Sequence, residues 1–246
     1  MKKTLADKMA EKAFENPNVQ KSWQTHLQAF GPILENVFQE DIKSRIHLIN
    51  ALNHLSRQEL KKAYKLMQDL EKVCSTDYDK TAWYFFMALI FEMANDKDNA
   101  ISLYTKANDY GHHFYMSYLR LAKILHQLED FETAESNYRK TITCLEQMGW
   151  SQQTQVIAAS IYTNLASCLT MLYKYEEAEE ALAMSHRWLA QQAGREATEA
   201  ILYAAQRKEE AVLERLEMLK GNPNMYEATK KLTDAILAGE HEHLKN

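Results

Sequence analysis

The same spacing of small and large side chains recurs in three successive segments of this chain. Three alanines mark the pattern, with steps of 34 and 44 residues between them: Ala100, Ala134 and Ala178. A large side chain follows each of them four positions later, and another alanine precedes each of them by twelve positions. These flanking residues are Tyr104, Tyr138 and Leu182, and Ala88, Ala122 and Ala166. A period of this length predicts stacked copies of one supersecondary unit.

Glycine and proline are scarce and stand almost entirely between the periodic segments. The 246 residues include six glycines and three prolines, and only Gly31-Pro32 interrupts an apolar segment. No run of alternating apolar and polar residues is long enough to predict a strand. We therefore expect helices joined by short loops. The further local predictions are N-caps at Asp79, Asp96 and Asp130, a capping box at 56–59, and one long helix over 195–220.

The repeated pattern resembles the signature of the tetratricopeptide-repeat (TPR) superfamily, in a bacterial-type helical repeat protein. The best matches are Tyr118 to Ala122 continued through Asp130 to Glu135, and Tyr173 to Glu179. The resemblance implies an all-α fold, a right-handed α-α superhelix of about four helical hairpins with capping helices at both ends. The predicted segments are 1–43 (N-terminal caps), 44–192 (repeats starting near 44, 81, 115 and 159) and 193–246 (C-terminal caps and tail).

In proteins of this family the first helix of each unit lines a concave groove that holds a partner protein or peptide. The residues that the resemblance places there as partner-binding are Leu52, Phe85, Leu89, Met93, Met116, Leu119, Arg120, Lys123, His126 and Asn164. Some members hold the carboxylate tails of heat-shock chaperones with a clamp of lysine, arginine and asparagine. That clamp is absent, because its comparable positions hold mainly Leu48, Leu52, Phe85 and Leu89. A helix within 17–40 could instead fill the groove, and the sequence leaves both arrangements open.

Composition and motifs exclude several other functions. The net charge of −5 is spread over interspersed acidic and basic residues, which argues against nucleic-acid binding. No stretch approaches the roughly 20 apolar residues of a membrane span.

Cys74, Cys144 and Cys168 form no CxxC pair, which predicts reduced thiols in a cytoplasmic protein. No phosphate loop, HExxH or GxSxG motif is present, so we expect no enzyme and no cofactor. His241 and His243 indicate a solvated tail more than a metal site.

The resulting hypothesis is a non-catalytic interaction scaffold that binds a helix or peptide segment of a partner protein in its groove. The alternative is a peptide-sensing regulatory protein similar to the bacterial peptide-pheromone receptors. Its basis is the longer repeat of about 44 residues, which resembles the units of those receptors. A fold-level resemblance supports binding in general and does not identify the partner.

Overall fold

The computed structural model describes residues 16–30, 32–110, 114–149, 152–188 and 193–239. Within these ranges the regular structure is helical, and none of it is strand. The helices are α1 (Pro17–Phe30), α2 (Pro32–Glu35), α3 (Ile42–Ser56), α4 (Leu60–Glu71), α5 (Asp77–Met93), α6 (Lys97–Asp109), α7 (Tyr115–Gln127), α8 (Phe131–Met148), α9 (Gln152–Met171), α10 (Tyr175–Trp188), α11 (Ala193–Ala205), α12 (Glu209–Leu219) and α13 (Pro223–Ala238). The all-α prediction is confirmed.

Five turns between consecutive helices share one backbone geometry. In each turn one residue has a positive φ near 60°, and the N–H of the next residue donates to the carbonyl five positions earlier. This is the Schellman arrangement, which satisfies carbonyls left free at the end of a helix and reverses the chain into the next one. The positive-φ residues are Gln58, Asn95, Glu129, Tyr173 and Arg207.

The spacing of these turns reproduces the period read from the sequence. Asn95 and Glu129 are 34 residues apart, and Glu129 and Tyr173 are 44 residues apart. The extra length lies in the helices, since α8 has 18 residues and α9 has 20. Small residues stand where paired helices come close: Ala88, Ala100, Ala166 and Ala178 have no exposed surface. Only a small side chain fits between two closely packed helices.

The prediction of one continuous helix over 195–220 is wrong. Helix α11 ends at Ala205, Arg207 adopts φ 60°, and α12 begins at Glu209. The two helices pack against each other, and α13 packs on both. The segment after residue 192 therefore contains another helical hairpin of the same kind, 34 residues beyond the turn at Tyr173.

The caps agree with the sequence in part. Asp96 and Asp130 are the N-caps of α6 and α8, as predicted, and each carboxylate accepts from a backbone N–H in the first turn. Asp79 is not an N-cap. Thr76 caps α5, and Asp79 completes the capping box from the N3 position while its other oxygen accepts from the N–H of Phe38 at 2.8 Å. The box predicted at 56–59 does not form, because Ser56 still belongs to α3.

The chain divides into two compact units, Met1–Leu121 and Ala122–Asn246. Phe85, Phe86, Leu48 and Met67 lie in the core of the first unit, with 1% of their surface exposed or less. The core of the second unit includes Leu145, Leu169 and Leu202 in the same way. The finer division into caps and repeats at 43/44 and 192/193 stays a prediction.

Replacing Glu129 by glycine is expected to stabilise the protein by about 1 kcal/mol, because a side chain with a Cβ is strained at positive φ. Glu129 has φ 63° and is exposed, so the change removes no buried contact. Denaturant unfolding monitored by circular dichroism measures the effect. Asn95→Ala is the matched control and should lose stability, since asparagine tolerates this conformation better than alanine. A destabilised Glu129→Gly variant would contradict this account of the turns.

Candidate protein-binding cleft

The first unit contains a cleft of about 620 Å³ between α1, α3, α5 and α7. This volume lies within the roughly 300–1,000 Å³ typical of ligand sites. The lining residues are Asn18, Lys21, Thr25, His26 and Phe30 of α1; Leu52, Asn53, Leu55 and Ser56 of α3; Gln58 of the following turn; Leu89 and Met93 of α5; and Arg120 of α7.

The floor of the cleft is apolar and its edge is open. Leu52 and Leu89 are buried, with 2% and 4% of their surface exposed. Met93, one helical turn after Leu89, is 42% exposed. Leu89 and Met93 share a face of α5, and Leu52 and Leu55 share a face of α3, because residues three or four positions apart lie one above the other on a helix. A partner's side chain placed here would meet aliphatic carbon below and a flexible thioether at the rim.

Helix α1 covers one side of this region. The ring of Phe30 packs edge-on against Phe86 and Phe85, with centroid distances of 5.1 and 6.2 Å. His26 is buried, and its Nε2 lies 3.0 Å from Oδ1 of Asn53 on α3, so this nitrogen donates the hydrogen bond. The N-terminal helix therefore fills part of the predicted groove and leaves the cleft beside it.

Phe85 is a core residue, and the prediction that it contacts a partner is corrected. None of its surface is exposed. Its ring contacts Phe30, Phe86 and Tyr104, the last at a centroid distance of 5.8 Å. The physical reason is that a fully apolar stretch of helix buries every face, and α1 supplies the cover that the repeat pattern does not describe.

Among the residues that the structure describes, the lining carries basic side chains and no carboxylate. Lys21 and Arg120 are its two basic residues besides His26. Arg120 Nη1 donates to both carboxylate oxygens of Glu92 at 3.0 and 3.1 Å, and Tyr104 donates its hydroxyl proton to Glu92 at 2.6 Å. Burial lowers the pKa of His26 despite the opposing hydrogen bond to Asn53, so the imidazole is neutral at pH 7.

The structure brings four of the ten predicted site residues together in the cleft, namely Leu52, Leu89, Met93 and Arg120. Met116 and Leu119 are half-buried on α7 and do not line it. Lys123, His126 and Asn164 belong to the second unit.

The three predicted site residues of the second unit differ in how far they are exposed. Lys123 is exposed and Asn164 is half-buried. His126 lies between two hydroxyls, with Nδ1 3.4 Å from the Tyr138 oxygen and Nε2 3.3 Å from Ser167 Oγ. Burial lowers the pKa of His126. Both ring nitrogens are thus occupied by neighbouring side chains, as in a satisfied polar cluster.

Sequence reasoning left open whether a helix within 17–40 fills the groove, and it named none of the α1 residues that line the cleft. Asn16-Pro17 correctly marked the start of this helix, which begins at Pro17. Its cleft-facing residues Lys21 and His26 carry no motif, and only the contact of α1 with α3 shows where they point.

The described residues offer little for catalysis or metal binding. Burial raises the pKa values of Cys74 and Cys168 to about 12, with nearby Asp79 and Glu135 adding to the respective shifts, so both remain thiols at pH 7. Within the described ranges no three His, Cys, Asp or Glu residues cluster as a metal site. His241 and His243 lie outside these ranges. None of the described helices is both long and apolar enough to span a bilayer.

No protein-family model and no curated protein matches this chain. Solved structures do match in fold. YrrB, a TPR protein with an unusual peptide-binding site, has a TM-score of 0.62 and 17% identity over 85% of this chain and 98% of its own. MamA from Desulfovibrio magneticus RS-1 has a TM-score of 0.56 and 11% identity, covering 78% and 96%. PilF of Pseudomonas aeruginosa has a TM-score of 0.55 and 15% identity, covering 80% and 87%. The chain therefore has the all-α helical-repeat fold of the tetratricopeptide-repeat proteins.

Proposed function

We propose that this chain is a non-catalytic interaction scaffold that holds a peptide segment of a partner protein in the cleft of its first unit. The observation that carries the proposal is the cleft beside α1, which has Leu52 and Leu89 at its floor and the exposed side chain of Met93 at its edge. Apolar pockets with a few polar groups around them are the usual form of a binding site. The likeness in fold to YrrB supports this function.

The chemistry of the lining favours binding over catalysis. His26 is the residue of the lining whose ordinary pKa is closest to neutrality, and its Nε2 is already bonded to Asn53. Acid-base or nucleophilic catalysis needs a second group that orients or activates the first, and the described residues of the lining include no carboxylate, cysteine or second histidine beside His26. The remaining lining residues supply aliphatic carbon, amides, hydroxyls and two cations, which suit recognition of a polypeptide.

Met93→Glu is expected to weaken partner binding by about ten-fold or more, because it places a carboxylate where an apolar contact is made. The partner would first be captured from a lysate of the source organism and identified by mass spectrometry. Its affinity for each variant would then be measured by calorimetry.

Met148→Glu is the matched control for this change. Met148 is 48% exposed on α8 in the second unit and lies outside the cleft, so this variant should bind like the wild type. Both variants must show wild-type helical circular dichroism and melting. Equal binding by Met93→Glu and Met148→Glu would remove the cleft from the proposal.

A peptide-sensing regulator is the second candidate, and the 44-residue step between the turns at Glu129 and Tyr173 favours it. The two candidates differ in the size of the ligand. A free short peptide that raises the melting temperature in proportion to its affinity would support peptide sensing, since a ligand of the native state stabilises it by mass action. Stable capture of a large protein through one of its segments would support the scaffold.

A further inference from the structure

The charge of the cleft differs in sign from the charge of the whole chain. The chain has a net charge of −5. The described residues that line the cleft include Lys21 and Arg120 and neither aspartate nor glutamate. A lining with one sign of charge beside a low-dielectric apolar floor focuses its field on whatever enters. Because Glu92 pairs with Arg120, the excess positive charge beside the floor is that of Lys21, and it favours an anionic group, against the net charge of the protein.

Both cations retain capacity to bind an anion. Lys21 makes no salt bridge with any residue in the described part of the chain. Arg120 contacts Glu92 only through Nη1, so its other guanidinium nitrogens are not used by this pair. The side chain of Arg120 remains 34% exposed. A guanidinium has five N–H donors in a fixed fork and can bond a second carboxylate while keeping the first.

The cations stand beside apolar surface, which defines the rest of the ligand. Leu52, Leu55 and Leu89 provide aliphatic contacts, and Met93 extends them to the rim. The amides of Asn18 and Gln58 also line the cleft, and their N–H groups suit backbone carbonyls of an extended chain.

We propose that the cleft selects acidic partner segments in which carboxylates accompany an aliphatic or aromatic side chain. This inference rests on the proposed function, and it names the class of peptide that the same site takes. The apolar side chain occupies the floor formed by Leu52 and Leu89, and the carboxylates contact Lys21 and Arg120. Charges at the rim contribute mainly to selectivity and association rate, while the buried apolar contact contributes most of the affinity.

The proposed site for acidic segments differs from the clamp that holds the tails of heat-shock chaperones in other members of the family. The clamp positions here hold mainly leucine and phenylalanine, and Phe85 is fully buried. One of the two cations comes from α1, which precedes the repeats. The arrangement contains nothing specific to a chain end, so an internal acidic segment satisfies it.

The experiment uses three fluorescein-labelled twelve-residue peptides with the same leucines. The other positions are glutamate in the first peptide, glutamine in the second and lysine in the third. Fluorescence anisotropy gives their affinities for the full chain and for the variants Lys21→Glu, Lys65→Glu and Met93→Glu. Lys65 is an exposed lysine of α4 outside the cleft, so Lys65→Glu makes the same change of net charge as Lys21→Glu.

We expect the glutamate peptide to bind about five-fold or more tightly than the glutamine peptide, and the lysine peptide to bind most weakly. The net charge of −5 would by itself favour the lysine peptide, so this order can arise only from a local field. Lys21→Glu should weaken binding of the glutamate peptide by about five-fold and leave the glutamine peptide nearly unchanged. Lys65→Glu should have no such effect.

Equal binding of the glutamate and glutamine peptides, or equal losses in Lys21→Glu and Lys65→Glu, would overturn the acidic preference. So would failure of all three peptides to bind. In each of these cases the Met93→Glu variant tests the proposed function separately. If Met93→Glu still weakens binding of the captured partner, the cleft binds a segment of different chemistry. If Met93→Glu changes neither peptide nor partner binding, the proposed function fails as well.

Discussion

Phe85→Ala is expected to lower the free energy of unfolding of the first unit by about 3–5 kcal/mol, as large-to-small changes of buried aromatics do. The side chain is fully buried and touches three other rings, so its removal leaves a cavity that α1 and α5 can only partly close. Urea unfolding followed by circular dichroism measures the loss. Part of the effect should come from weaker docking of α1, since Phe30 keeps its contact with Phe86 but loses the one with Phe85.

Met93→Ala separates core from surface on the same helix. Met93 is 42% exposed, so its truncation should cost far less stability than truncation of Phe85. The two variants should also differ in function, because Met93 lines the cleft and Phe85 does not. If Phe85→Ala were as mild as Met93→Ala, Phe85 would not be covered by α1, and the groove would be open as the repeat pattern alone implies.

Glu199→Ala is expected to destabilise the second unit by about 3–5 kcal/mol, because it removes one partner from a buried ionic cluster. Glu199 lies 2.6 Å from Arg215 Nε, 3.2 Å from His186 Nε2 and 3.7 Å from Arg195 Nε. Arg195 has no exposed surface and also contacts Glu196 at 3.1 Å. Loss of Glu199 leaves the two arginines with less compensating charge in a region from which water is largely excluded.

Glu217→Ala is the control for this prediction. Glu217 pairs with Lys220 on the surface, where both side chains are more than half exposed. Surface pairs of this kind contribute little to stability, so unfolding should be almost unchanged. A loss in Glu199→Ala as small as that in Glu217→Ala would show that the cluster is well solvated and does not organise α11 and α12.

The same cluster explains why the sequence did not reveal the hairpin formed by α11 and α12. Ala200 continues the series of buried alanines, 34 residues after Ala166. Glu196 and Glu199 stand where the previous unit has Tyr162 and Leu165. An apolar pattern cannot identify a unit whose core positions carry charge, because burial of these carboxylates depends on their pairing with Arg195 of α11 and Arg215 of α12. The segment therefore looked like one amphipathic helix.

The candidate site shows a similar limit. Repeat register named Leu52, Leu89, Met93 and Arg120, which the structure brings together in the cleft, since these positions follow from the spacing of residues on repeated helices. That they contact a partner stays a prediction. It could not show that Phe85 is covered. That depends on how α1 docks through Phe30 and His26, and α1 lies outside the repeats, so no period predicts its contacts.

The direct test of the central claim is methyl NMR of the protein labelled with carbon-13 at the methionine methyl groups. Met93, Met148 and Met218 are all exposed, and only Met93 lines the cleft in the first unit. The chain would be titrated with the segment of the captured partner that binds it. We expect the Met93 signal to shift with the occupancy of the complex while those of Met148 and Met218 stay in place. Shifts at Met148 or Met218 with an unchanged Met93 would contradict the account and place the binding surface elsewhere.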